Sequence, residues 1–116
     1  MDAPTRRSCC PIACTLDLLG DRWTLLVLRD LFAGKRKYSD FARSPESIAT
    51  NILADRLGLL VDHGLAERVT PEGRRRAEYA LTDKGRSLEP VLTAVARWGL
   101  SHIEGTEARL APPGWQ

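Results

Sequence analysis

The sequence predicts an α+β fold, mostly α, in which several short helices carry one two-stranded hairpin. Three observations support this. Apolar residues recur at helical spacing in stretches between residues 12 and 63 and again after residue 82. Two short runs, 65–69 and 77–81, flank Thr70-Pro71-Glu72-Gly73, a segment with turn chemistry. The run 47–65 is the most informative: a start signal, an apolar stripe, a stop signal and a strand to follow.

The elements follow in order. Ile12, Leu16 and Leu19 mark a first helix over 12–19, with Pro11 at its first position, Cys10 as N-cap and Gly20 at its end. Asp21 caps a second helix over 22–32, whose Trp23, Leu26, Val27, Leu31 and Phe32 are mostly core. Gly34 closes it, and Lys35, Arg36 and Lys37 lead into a short third helix over 38–42, with Ser39 as its expected cap and Phe41 inward. Ser44-Pro45-Glu46 turns the chain, because proline disfavours helix at the residue before it.

The fourth helix covers 47–63, with Ser47 as N-cap and Gly64 just past its end. Ile52, Leu53, Leu57, Leu60 and Val61 form its apolar stripe, and Asn51, Asp55 and Gly58 lie opposite, with Thr50 and Ala54 at the shoulders. A lone hairpin is marginal in water, so the two strands must lean on the helices. Thr82 caps a long last helix with Leu88, Val91, Leu92, Val95, Trp98 and Ile103 at roughly helical spacing; Pro90 bends it or marks a late start.

At 116 residues the chain is expected to form one domain, too short for a two-domain enzyme. The expected division is a flexible arm over 1–8, the folded domain over 9–104 and a flexible tail over 105–116. A hydrophobic content of 43% with 28% charged residues fits a globular chain rather than a disordered one. Nothing resembles a membrane span or a signal peptide, so a cytoplasmic protein without membrane contact is expected. Net charge is only +2, but Lys35, Arg36 and Lys37 are consecutive, as are Arg74, Arg75 and Arg76. Two local basic patches on a balanced domain fit phosphate contact, although either could be a solvated loop.

Helix, turn, helix and arginine-tipped hairpin together make the layout of a winged helix-turn-helix, with N- and C-terminal helices left over for dimerisation. Cys10-Pro11, Leu16-Asp17-Leu18-Leu19-Gly20, Arg22-Trp23-Thr24-Leu25-Leu26, Leu28-Arg29-Asp30-Leu31, Asp62-His63-Gly64-Leu65 and Tyr79-Ala80-Leu81-Thr82-Asp83-Lys84-Gly85 occur in one order. With Leu53 through Arg56-Leu57 they resemble the HxlR-type bacterial transcriptional regulators over roughly residues 9 to 99. The resemblance implies a homodimer bound to double-stranded DNA at a palindromic operator, with repression as the expected sense of action. Its wing, about one residue shorter than usual and richer in arginine, departs from the family pattern.

The resemblance makes the fourth helix the recognition helix, with Ser47, Thr50, Asn51 and Asp55 as its DNA-facing residues. Asparagine can bond adenine bidentately, and aspartate can accept from the amino group of cytosine. Arg56, at the edge of the apolar stripe, is expected to pair internally. Arg74, Arg75 and Arg76 suit phosphates or a narrow minor groove, and Lys35, Arg36 and Lys37 suit the flanking backbone. Leu16, Leu92, Val95 and Trp98 are the expected two-fold contacts, although core packing is the competing role for each.

Cys9, Cys10 and Cys14 lie within six positions. In a reducing compartment they should stay unpaired. Cys10 matches the Cys-Pro position at which some HxlR-type members carry a redox-sensing thiol. As an N-cap beside Arg6 and Arg7, it occupies a place that accommodates negative charge. The competing role is that of a small apolar residue. Cys-Cys-x-x-x-Cys with distant His63 and His102 is not a common zinc spacing, so neither metal nor cofactor is expected.

Two other readings stay open: a regulator switched by a small effector between the dimer helices, and a winged helix that binds protein instead of DNA. No phosphate-binding glycine loop or nucleophile motif points to an enzyme.

Overall fold

The computed structural model describes residues 7–107, so most of the expected arm and tail lies outside the described residues. Six helices and two strands follow in the order α1 (Pro11–Leu19), α2 (Thr24–Phe32), α3 (Tyr38–Ala42), α4 (Thr50–Asp62), β1 (Ala66–Val69), β2 (Glu78–Leu81), α5 (Asp83–Arg86) and α6 (Glu89–His102). This is the mostly helical winged arrangement that the sequence predicts. Among the described residues no helix is long and apolar enough to cross a membrane.

The core is built where the apolar stripes of α2 and α4 meet. Leu28, Leu53, Leu57 and Leu60 are wholly buried, joined by Val27, Leu31 and Phe41. Burial of each such side chain stabilises the fold by about 1.5–3 kcal/mol. Tyr79 of β2 closes the cluster edge-to-face on Phe41, with ring centroids 6.3 Å apart. The hairpin is antiparallel, in the register Ala66↔Leu81 to Val69↔Glu78. Its free edge is partly paired as well: Tyr79 N–H donates to the Arg36 carbonyl at 2.8 Å, and Lys37 bridges Glu78. The basic loop is thereby fastened to the wing.

The termini of α4 differ in how well local chemistry foretold them. The C-terminus is a Schellman motif on Gly64, at φ 71°: Gly64 N–H reaches the Val61 carbonyl and Leu65 N–H the Leu60 carbonyl. The N-terminus corrects an expectation. Ser47 is not the N-cap; it occupies the left-handed region at φ 57°, and Ala49 stands at the cap position without a side-chain acceptor. The cause lies in the preceding turn, where Ser47 N–H bonds the Ser44 carbonyl and Ile48 must bury before the helix begins.

Three smaller corrections have similar causes. α2 starts at Thr24, because the Asp21 carboxylate takes the N–H groups of Trp23 and Thr24 and holds 21–23 as a turn. α3 is capped by Asp40, whose carboxylate accepts from Lys37 N–H, and not by Ser39. The last helix is two helices. Thr82 caps only the short α5, and Pro90, with no N–H to donate, sits in the first turn of α6. Gly85 is required in α5, since a Cβ there would stand 2.0 Å from the Leu65 carbonyl oxygen.

Leu92 is also corrected. It is buried in the chain's own core, because Leu92 and Ala96 form the inward face of α6 and Leu88 packs on the core just ahead of the helix. Val91, Val95 and Trp98 lie on the other face and are exposed, as are Ile12 and Leu16 of α1.

Candidate nucleic-acid interface

Two tethers set the position of α4. The first is an ionic cluster between α2 and the turn that precedes α4. Arg29 donates from Nη1 and Nη2 to both oxygens of Glu46, at 2.9 and 2.8 Å, and from Nε and Nη2 to Asp30 Oδ1 at 3.1 and 2.9 Å. The buried Asp30 also accepts from the Ser44 hydroxyl and forms an ion pair with Lys35 Nζ at 3.4 Å. The Arg29 guanidinium holds the Glu46 carboxyl below its usual range despite partial burial. Glu46 in turn raises the pKa of Arg29.

The second tether joins the head of α2 to the middle of α4. Arg56 Nε donates to Asp21 Oδ2 at 2.7 Å, and Arg56 Nη1 donates to Asp55. Partial burial works against the Asp21 charge. Donors from the Thr24 hydroxyl, the Trp23 N–H and Arg56 outweigh it and hold the pKa at about 2. Arg56 therefore pairs internally, as its place in the stripe predicts.

Between the tethers, Thr50, Asn51 and Asp55 are exposed on one side of α4. The Asn51 amide has no partner among the described residues. Tyr38 of α3 donates its hydroxyl to the Thr50 carbonyl at 2.5 Å, tying the two helices of the motif together. Tyr38 also lines an open groove with Lys37, Ser39, Arg74, Arg75 and Arg76, which brings part of the first basic triplet beside the second. The three wing arginines and Lys37 are exposed and have no ion pair among the described residues.

The first triplet does not act as a unit. Lys35 turns inward to Asp30 and to Ser44 Oγ at 2.8 Å, and Arg36 pairs with Glu78 at 3.1 Å. Lys35 thus belongs to the cluster that fixes the turn, which corrects its expected place on the flanking backbone. Sequence reasoning missed Arg29, Asp30, Glu46 and Tyr38. Adjacent opposite charges inside the apolar α2 were the available signal, because a charge in such a helix needs a partner.

The cysteines stand apart from this groove. Cys10 occupies the N-cap of α1, exposed, with its N–H donating to Ser8 Oγ at 3.0 Å. Cys14 Sγ donates to the Ser8 carbonyl at 3.2 Å. Arg7 is drawn to Asp17 at 2.7 Å, a partner that proximity in sequence to Cys10 did not reveal.

Comparison with known proteins matches this arrangement. The profile described as HxlR-like helix-turn-helix matches residues 18–107. A Synechocystis protein named "uncharacterized HTH-type transcriptional regulator sll1512" is 41% identical over 96 residues, which is 82% of this chain and 71% of that protein. The crystal structure of PA1607 is 43% identical, with a TM-score of 0.78 over 84% of this chain and 68% of that one. The redox regulator HypR in its oxidised form is 32% identical, with a TM-score of 0.71 over 79% of this chain and 96% of its own.

Proposed function

The chain belongs to the HxlR-like helix-turn-helix family of transcriptional regulators, and from that premise we propose that it binds a palindromic operator as a homodimer. α4 lies in the major groove, where Thr50, Asn51 and Asp55 meet base edges and Ser47 approaches the backbone beside them. Arg74, Arg75 and Arg76 of the wing, with Lys37, hold phosphates, and Arg36, which also pairs with Glu78, flanks them. The observation that carries this reading is the groove between α3 and the wing, whose unpaired cations lie beside the start of α4. Cations left without internal partners are free to displace counterions from DNA.

The exposed apolar residues of α1 and α6 support the dimer. Val91, Val95 and Trp98 recur at helical spacing on the face of α6 turned away from the core, and Leu16 is exposed on α1. A dimer that reads a palindrome needs its two recognition helices about 34–36 Å apart, one turn of duplex.

Cys10 supplies control in this reading. Its exposure at the head of α1 and the likeness to HypR support a thiol switch that alters the dimer and so the spacing of the α4 helices. Selection of bound duplexes from a random pool tests the DNA reading, and an inverted repeat is the expected product. Recovery of no enriched sequence would contradict it. Diamide treatment of the wild type and of Cys10→Ser tests the switch: operator binding should change in the first alone.

A further inference from the structure

Asp55 and Arg56 are neighbours on α4, yet they make a contact that helix geometry does not provide by default. Adjacent helical residues point away from each other. Here the Arg56 guanidinium folds across so that Nη1 donates to Asp55 Oδ2, while its Nε stays on Asp21 Oδ2 at 2.7 Å. Asp21 is itself held by the Trp23 and Thr24 N–H groups, at 3.0 and 3.2 Å, and by the Thr24 hydroxyl. A chain of fixed donors and acceptors thus runs from the head of α2 to the exposed face of α4. Arg56 is mostly covered, at 23% side-chain exposure, whereas Asp55 is open at 69%.

We propose that Arg56 is a specificity-positioning residue: it holds the Asp55 carboxylate in one orientation, with one oxygen occupied and the other presented to the amino group of cytosine. The proposal rests on the reading of Asp55 as base-directed. A free carboxylate on a DNA-facing helix would be repelled by phosphates and could rotate away from the base. The guanidinium offsets that charge and removes the rotation. The planar guanidinium can serve Asp21 and Asp55 at once through separate nitrogens, which the single ammonium of a lysine cannot do in the same geometry. A fixed carboxylate oxygen accepts from cytosine N4 in the major groove; the carbonyl that guanine or thymine presents there gives it no donor, and adenine sets the N7 acceptor beside its amino group, which repels the carboxylate.

The test uses the full chain with a selected operator and the versions that carry each base pair at every half-site position. Affinities are measured for wild type, Asp55→Asn, Arg56→Lys and Asp21→Asn, with thermal unfolding to confirm that each variant is folded. Asp55→Asn should remove discrimination at one position. Arg56→Lys should narrow discrimination at that same position by about tenfold and leave the others unchanged. Asp21→Asn, which keeps the shape of the acceptor on Arg56 and removes its charge, should narrow it in the same direction.

Retention of full discrimination by both Arg56→Lys and Asp21→Asn would overturn the proposal. So would an even loss across all base pairs, which marks a structural role, or a gain of guanine preference in Asp21→Asn, which marks Arg56 as a reader itself. If Asp55→Asn changes no position, the base-directed reading of Asp55 is what fails.

Discussion

Arg29 on α2 grips both carboxylate oxygens of Glu46, in the turn that launches α4, at 2.9 and 2.8 Å. The pair joins segments 17 residues apart, and Arg29 is largely shielded, at 13% side-chain exposure. Position and orientation of α4, the proposed recognition helix, therefore depend on a charge cluster apart from the exposed face of Thr50, Asn51 and Asp55.

Removal of one side of that cluster should be costly. Arg29→Ala leaves Glu46 unpaired and the buried Asp30 with Lys35 and the Ser44 hydroxyl, so the cost should fall at about 2–3 kcal/mol, at or below that of losing one member of a fully buried pair. Glu46→Gln keeps the shape and leaves Arg29 on Asp30, so about 1 kcal/mol is expected for this half-exposed partner. Urea unfolding of both variants checks the order; equal effects would contradict it.

The acid limb of stability should follow from Asp21 and Glu46, whose folded-state pKa values both lie below the ordinary ones. A depressed carboxylate contributes stability that is complete above its unfolded pKa, near 4, and is lost as pH falls through the folded value, about 2 for Asp21. The stability gap between wild type and Asp21→Asn should hold at neutral pH and shrink between about pH 4.5 and 2. Denaturant midpoints of both proteins across that range give the measurement, and a gap that widened on acidification would contradict the assignment.

Gly58 lies one turn beyond Asp55 on α4, and a Cβ there would meet no atom of the chain within 4 Å. Nothing internal requires glycine, which costs about 1 kcal/mol against alanine inside a helix. Close approach of DNA to this face supplies a reason. Gly58→Ala should therefore raise stability by about 0.5–1 kcal/mol while it weakens operator binding. The two effects separate cleanly in paired melting and binding assays; a stabilised variant with unchanged affinity would place DNA elsewhere.

The two faces of α6 should respond differently to substitution. Leu92→Ala opens a cavity in the core and should cost about 2–5 kcal/mol. Val95→Asp alters a residue that is 53% exposed, so it should leave the monomer folded and abolish the dimer. Sedimentation at micromolar concentration, with circular dichroism as the folding control, distinguishes the two. A Val95→Asp dimer would move the interface off this face.

Much of this was legible in the sequence because it depends on local chemistry. The stripe of α4, the glycine that ends it, the proline in α6 and the turn of the wing all follow from spacing and backbone preference. Ser47 departs from its expected place for a physical reason. Cap preference favours serine, but the burial of Ile48 and the turn anchored at Ser44 delay the helix to Thr50. Lys35 reads as a phosphate ligand from sequence, which shows charge and hides partners; Asp30, five residues earlier, draws it inward. Leu92 and Val95 are both apolar at helical spacing, and only packing separates core from surface.

The proposed division, with α4 reading bases and the wing holding phosphates, is tested most directly by salt-dependent operator titrations of Asn51→Ala and Arg75→Ala. Arg75→Ala should weaken every sequence alike and reduce the salt slope by about one. Asn51→Ala should leave the slope unchanged and relax preference at one base pair. The same uniform loss from both variants, or no loss from either, would contradict it.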